Sequence, residues 1–223
     1  MDAIHELPLA LTVTNAKAYD GHQVDPLPRQ AQVRLGALAP SAVAADGGYD
    51  ARPVYEAING LGAAPIIPLV SRSAESPSGI TNVQGTALCP WRQPMVYWGR
   101  DGPWLKYRCP RVLDRSSCLP RPGHGPCSLS PYGLVVKLPW RQDPRRTPPV
   151  PRETRKWRRL YRRRTAVERV FSRLKSHLLL DVLRVRGLAK VRVRVTLSTL
   201  VLLAAALGMT QQERWRELRT LVA

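Results

Sequence analysis

The stretch YRRRTAVERVFSRLK, residues 161–175, sets Tyr161, Arg164, Glu168 and Lys175 apart by two, three and six intervening residues. At about 100° per residue these four fall near 0°, 300°, 340° and 320° around a helix, so they share one narrow face. Leu160, Val167, Val170, Phe171, Leu174 and Leu178 fall between about 180° and 280°, an apolar stripe that seats such a helix on a core. Arg158, Arg159, Arg162, Arg169 and Arg173 cover most of the rest. One carboxylate thus stands at the rim of a buried face inside a field of arginines, an arrangement that suits metal-dependent chemistry on a polyanion. The plainer alternative is a solvated basic helix in which Glu168 pairs with Arg164 at i,i+4, worth about 0.2–0.5 kcal/mol.

Working outward, residues 145–175 carry thirteen Lys/Arg against only Glu153 and Glu168, which is most of the chain's formal charge of +19. Charge of this density points to nucleic acid. A membrane surface is the weaker partner, because the apolar stripe is modest and no lipidation signal accompanies it. The opening MDAIHELPLA lacks a basic n-region, so no secretory signal is read, and the apolar run 195–209 is short of the about 20 residues a span needs. A core helix is expected there, in a cytoplasmic, nucleoid-associated protein whose four cysteines stay reduced.

Upstream, residues 7–15 (LPLALTVTN) read as a strand, 16–30 as a loop with Pro26 and Pro28, and 31–38 as a short helix. SAVAA (41–45) reads as a buried strand running into DGGYD, where Asp50 is placed to N-cap a helix over 51–61 that Gly62 closes. APIIPLV then reads as a further strand. Strand, turn, helix and strand in this order make an α/β layer. Asp46 stands where the first of these strands ends and two glycines allow a sharp turn, the sheet edge at which α/β folds place their sites. A turn aspartate bonding its own backbone is the alternative. Sixteen of the twenty-one prolines and all four cysteines lie between Pro65 and Pro151, which argues for short strands and loops. Helix resumes near Arg152 and is expected to run unbroken to about Leu180. A turn at Gly187, a helix over 191–207 stopped by Gly208, and a polar helix over 211–221 follow.

Tyr-x2-Arg-x3-Glu-x6-Lys, met here without a mismatch, resembles the signature of a large group of DDE-type insertion-sequence transposases. DGGYD resembles that group's D-x-G-Y-D segment, and LPLALTVTNAKAYDG its glPla…vTpAn..D segment, in the same order along the chain. The resemblance implies an α/β fold with an RNase H-like core, interrupted by a proline- and cysteine-rich insertion. It implies Asp46 and Glu168 as the second and third catalytic carboxylates, both binding Mg²⁺ or Mn²⁺. Two such ions about 3.5–4 Å apart serve an in-line phosphodiester displacement by activating the nucleophile and relieving charge on the leaving oxygen. Arg164 and Lys175 would contact phosphates of double-stranded DNA at element ends, Tyr161 would pack or bond near the cleaved strand, and Arg158, Arg162 and Arg169 would add to the DNA surface.

The group's first catalytic Asp belongs upstream of the glPla-like segment. Asp2 and Asp20 both fit that place poorly, so the expectation is a core lacking its first strand, and cleavage by this polypeptide is left open. The expected organisation is 1–70 for the first part of the core, 71–150 for the insertion, 151–210 for the returning helices and 211–223 for a tail. Cys89, Cys109, Cys118 and Cys127, with His124 nearby, could hold structural Zn²⁺, yet gaps of nineteen, eight and eight residues lack close Cys pairs, and reduced thiols are the default. Trp91, Trp98, Trp104 and Trp140 serve either as base-stacking platforms or as a small core. A homodimer is compatible with the sequence. The alternative in another class is a non-catalytic basic nucleic-acid-binding protein, including a transposase remnant.

Overall fold

Strand, turn, helix and strand do follow one another from Ser41, and they define the α/β character of the chain. The computed structural model describes residues 1–36, 39–70, 79–114 and 127–219. Along them run α1 (Pro26–Leu35), β1 (Ala42–Ala44), α2 (Arg52–Gly60), β2 (Ala64–Ile66), β3 (Val96–Asp101), β4 (Trp104–Arg108), β5 (Val135–Pro139), α3 (Arg155–Arg162), α4 (Thr165–Ser176) and α5 (Leu188–Gln211). Two compact units result, one from Pro40–Tyr161 and one from Met1–Ala39 with Arg162–Ala223.

In the Pro40–Tyr161 unit, β1 and β2 pair in parallel with Ala42 opposite Ala64 and Ala44 opposite Ile66. The crossover between them is α2, as a parallel pair requires. Val54, Tyr55 and Ile58 are buried on one side of α2, and Gly62 ends the connection at φ 74°, a conformation that favours glycine. A second, antiparallel sheet has the order β3–β4–β5. Asp101 and Trp104 are joined through Gly102 and Pro103, and Gly102, at φ 54°, supplies the positive φ that a two-residue hairpin needs. Leu105, Tyr107 and Leu138 turn inward and pack with Ala87, Cys89 and Met95, with Trp91 and Trp140 lying against them. The proline-rich stretch therefore does hold short strands. α3 rests on a third cluster, in which Trp157 packs with Ile66 and Val150, flanked by Leu160 and Tyr161.

In the other unit, Val170 and Leu174 of α4 pack with Leu202 and Ala206 of α5 and with Leu218, while Leu7 lies alongside. Glu6, almost wholly buried and at φ 59°, ties the N-terminal segment to α4: Arg169 reaches it at 2.6 Å and Arg173 at 3.2 Å.

Several expectations need correction. Residues 8–15 form no strand; among the described residues both sheets lie in the Pro40–Tyr161 unit, so this segment has no ladder to join. Pro26 and Pro28 begin α1 rather than exclude it, since the first turn of a helix tolerates a missing N–H. The helix through the 161–175 motif is not continuous. It breaks at Arg163–Arg164, where arginines at 158, 159, 162 and 163 stack like charges at i,i+4 and the Thr165 hydroxyl donates to the Arg162 carbonyl. α5 does not stop at Gly208. It ends in a Schellman arrangement in which Glu213 takes the left-handed position (φ 59°), its N–H donates to Thr210 O, and Arg214 N–H donates to Met209 O. Among the described residues a short 3₁₀ turn, Trp215–Glu217, follows in place of the expected polar helix. α5 buries Ser198, Thr199, Leu202 and Ala206 but exposes Val193, Leu197, Leu200, Val201 and Leu207, so it is less a core helix than expected; by length and composition it is able to cross a membrane.

Leu105 is fully buried beneath the antiparallel sheet. Leu105→Ala should destabilise the protein by about 2–5 kcal/mol in urea unfolding, whereas the neighbouring outward-facing Lys106→Ala should stay within about 0.5 kcal/mol.

Candidate active site and nucleic-acid interface

The DGGYD turn is built from small residues for steric reasons. A Cβ on Gly47 would lie 2.8 Å from the Val70 side chain, and one on Gly48 would lie 3.0 Å from Asp46 Oδ1. Asp46 caps the 3₁₀ turn Gly47–Tyr49, its Oδ1 accepting from Gly48 N–H at 2.9 Å, and its side chain is open to solvent. It follows directly on the β1–β2 ladder, which Ala45 extends by donating to Ile66 O.

Asp50 does not cap α2 as its position in the sequence suggests. Ala51 holds the cap position and Asp50 is buried. Its carboxylate accepts from Tyr55 Oη at 2.9 Å, Val70 N–H at 2.8 Å and Arg145 Nη2 at 2.6 Å. Arg152, also buried, completes the frame by donating to Tyr55 Oη at 2.8 Å, Arg145 O at 2.7 Å and Ile67 O at 3.0 Å. Burial pushes the Tyr55 phenol well up, with Arg152 acting the other way. The turn bearing Asp46 is thereby pinned to residues 145–152. Two of the thirteen basic residues of the 145–175 cluster face inward for this purpose, a role of which their spacing in sequence gives no sign.

Glu168 lies in the first turn of α4, 57% exposed, where the helix dipole favours an acid, and Arg164 Nη1 sits 2.8 Å from its Oε1. Lys175 is exposed one seven-residue step further along the same helix. Arg169 is committed to Glu6 and to the Thr165 hydroxyl, and its guanidinium is held above the ordinary range by the Glu6 carboxylate. Arg173 donates to Glu6 and to the Arg219 carbonyl, and burial lowers its pKa. Tyr161 stacks on Trp157 with ring centres 4.8 Å apart. The four motif positions are therefore distributed as the end of α3 (Tyr161), the break (Arg164) and α4 (Glu168, Lys175), rather than along one continuous helix. Asp46 belongs to the Pro40–Tyr161 unit and Glu168 to the other.

What does face water is the polar side of α3. Arg155, Lys156, Arg158, Arg159 and Arg162 are all exposed, while Trp157 on the opposite side is buried. Such a helix is a cationic rod anchored by an aromatic stack, the form of a phosphate-tracking surface.

Two family models described as "Transposase DDE domain" match the chain, one over residues 88–203 and the other over residues 1–108. The chain belongs to the DDE transposase family. Neither the curated proteins nor the solved structures compared with it give a match. In this transposase Cys89 and Cys109 are buried free thiols and Cys127 is free; Cys118 and His124 lie outside the described residues. Among the described residues no three His, Cys, Asp or Glu side chains are grouped to hold a metal ion.

Glu153, leading into α3, has a buried Oε1 without a hydrogen-bond partner. Burial raises its pKa from the ordinary 4.5, and hydrogen bonds from its own backbone, Tyr107 and Thr86 offset this only in part. A raised acid is protonated in the folded chain where the unfolded chain has already lost its proton. Its stabilising contribution is therefore complete below the unfolded value of 4.5 and is lost as pH rises through the folded value. Glu153→Gln should flatten that fall, so the variant gains stability relative to the unsubstituted protein between acidic and neutral pH in paired thermal melts.

Proposed function

We propose that this transposase domain binds duplex DNA of insertion-element ends through the exposed face of α3, and that Asp46 and Glu168 serve phosphodiester cutting and joining. The observation that carries the binding half is the α3 surface itself: five exposed cations on one helix whose other side is fixed by Trp157 and Tyr161. Lys175 and the exposed part of Arg169 add positive charge along α4, and Arg164 orients Glu168. β1, α2 and β2 are read as part of an RNase H-like core and β3–β5 as its insertion. The setting is the cytoplasm, on nucleoid DNA.

Asp46 and Glu168 are exposed carboxylates, hard oxygen donors suited to Mg²⁺ or Mn²⁺. Bound there, divalent ions would supply charge relief at a phosphodiester. The chain's own part is to hold Asp46 on a rigid turn, through Gly48 N–H and the Asp50 frame, and to set Glu168 through Arg164. DNA bound along α3 would be oriented by its phosphates, with no sequence read by these contacts.

A second reading, a DNA-binding remnant that does not cut, is favoured by the bonds these acids make. Asp46 acts as a turn cap and Glu168 is paired with Arg164, the arrangement each would have without catalysis. Cleavage separates the two readings. Mg²⁺- or Mn²⁺-dependent nicking of end-bearing DNA that Glu168→Gln abolishes supports the enzyme, and its absence with binding intact supports the remnant.

Binding itself is tested by salt. Duplex affinity should fall steeply between about 50 and 200 mM salt, and Arg158→Ala, Arg159→Ala and Arg162→Ala together should reduce the log–log slope by about one for each phosphate no longer neutralised. A flat salt response, or an unchanged slope in the triple variant, would contradict the α3 surface.

A further inference from the structure

The antiparallel sheet has one face in the apolar cluster and the other in water. Leu105 and Tyr107 of β4 are buried, so Trp104, Lys106 and Arg108 project from the opposite face, in register with Pro139, Lys137 and Val135 of β5. A register shift between Tyr97 and Gly99 re-aims the residue between them, Trp98, which is 46% exposed, as strand bulges do. The Arg108 guanidinium lies 4.4 Å from the Trp98 ring centre and 5.3 Å from that of Tyr132, which is 68% exposed. Lys137 on the same face pairs with Asp101 at 2.6 Å.

These aromatics are not core residues. Trp91 and Trp140 supply that role, packed against the buried cluster from its own side. Trp98 and Tyr132 instead keep ring surface in water while clasping one cation between them. A cation held over a ring organises both side chains, so neither has to be ordered when a ligand arrives. Bases in a duplex present no free ring faces, whereas an unpaired strand presents a ring and a phosphate at each nucleotide. Aromatic rings beside cations on an exposed sheet are the chemistry that captures unpaired nucleic acid.

We infer that this outer face binds unpaired DNA, bases stacking on Trp98 and Tyr132 and a phosphate meeting Arg108, through residues other than those of α3. The inference rests on the DNA-binding reading above and adds to it the strand form that the sheet recognises. A transposase that opens or cuts a duplex exposes such strands, and a sheet able to hold them retains the product.

The test uses the full chain with a fluorescent oligo-dT strand and a duplex of equal length, followed by anisotropy. Trp98→Ala combined with Tyr132→Ala should weaken oligo-dT binding by roughly tenfold or more per stacked base, with duplex affinity within about twofold of the unsubstituted chain. Trp98→Phe, which keeps a ring, should restore most of the loss, and circular dichroism of every variant should match the unsubstituted chain. Unchanged oligo-dT affinity in the double variant overturns the inference and leaves the patch to a protein partner. Equal losses for strand and duplex overturn it too. An unsubstituted chain that binds duplex but not oligo-dT defeats this inference alone, and one that binds neither defeats the DNA-binding reading with it.

Discussion

The buried Asp50 carboxylate is the constraint on which the Pro40–Tyr161 unit depends. A charge with no exposure is tolerated only where it is paired and hydrogen-bonded, and Asp50 accepts from Tyr55 on one oxygen and from Val70 and Arg145 on the other. Arg145 and Arg152 arrive 95 and 97 residues downstream of Asp50 and Tyr55 respectively. The turn between β1 and α2 is therefore held only when the proline-rich excursion returns. Asp46 sits four residues before Asp50, on that same turn, so the geometry of the candidate catalytic acid depends on a buried charge nearby.

Much of this is legible in sequence, and the reasons differ by element. β1, the glycine turn, α2 and β2 are readable because short apolar runs and punctuation coincide there: SAVAA and APIIPLV, Asp46 with two glycines, and Gly62 at the end. Asp50 misleads because capping is a local pattern, whereas its partner at position 145 is a tertiary fact. Residues 7–15 carry the composition of a strand, but a strand exists only beside another, and pairing is not written in a nine-residue window. The break at Arg163–Arg164 escapes the angular argument because that argument treats the helix as given. Repulsion among the arginines at 158, 159, 162 and 163, on and beside the start of the motif, opposes its continuity.

The same arginines show why counting charge overstates a binding surface. Arg145 and Arg152 fasten the Asp50 frame, Arg173 is buried against Glu6, Arg169 is shared with Glu6, and Arg164 is spent on Glu168. The exposed remainder is concentrated on α3, whose apolar side is locked by the Trp157–Tyr161 stack. Sequence thus locates the cluster, and burial selects the part of it that is available to phosphate. The membership in the DDE transposase family agrees with a protein whose solvent-facing charge is organised as a helix face.

The central claim is the proposed one, that the carboxylates of Asp46 and Glu168 are ligands of divalent metal ions. Mn²⁺ binding followed by electron paramagnetic resonance tests it without requiring cleavage. Asp46→Asn and Glu168→Gln are each expected to weaken Mn²⁺ binding. Mn²⁺ binding that neither substitution changes would contradict it.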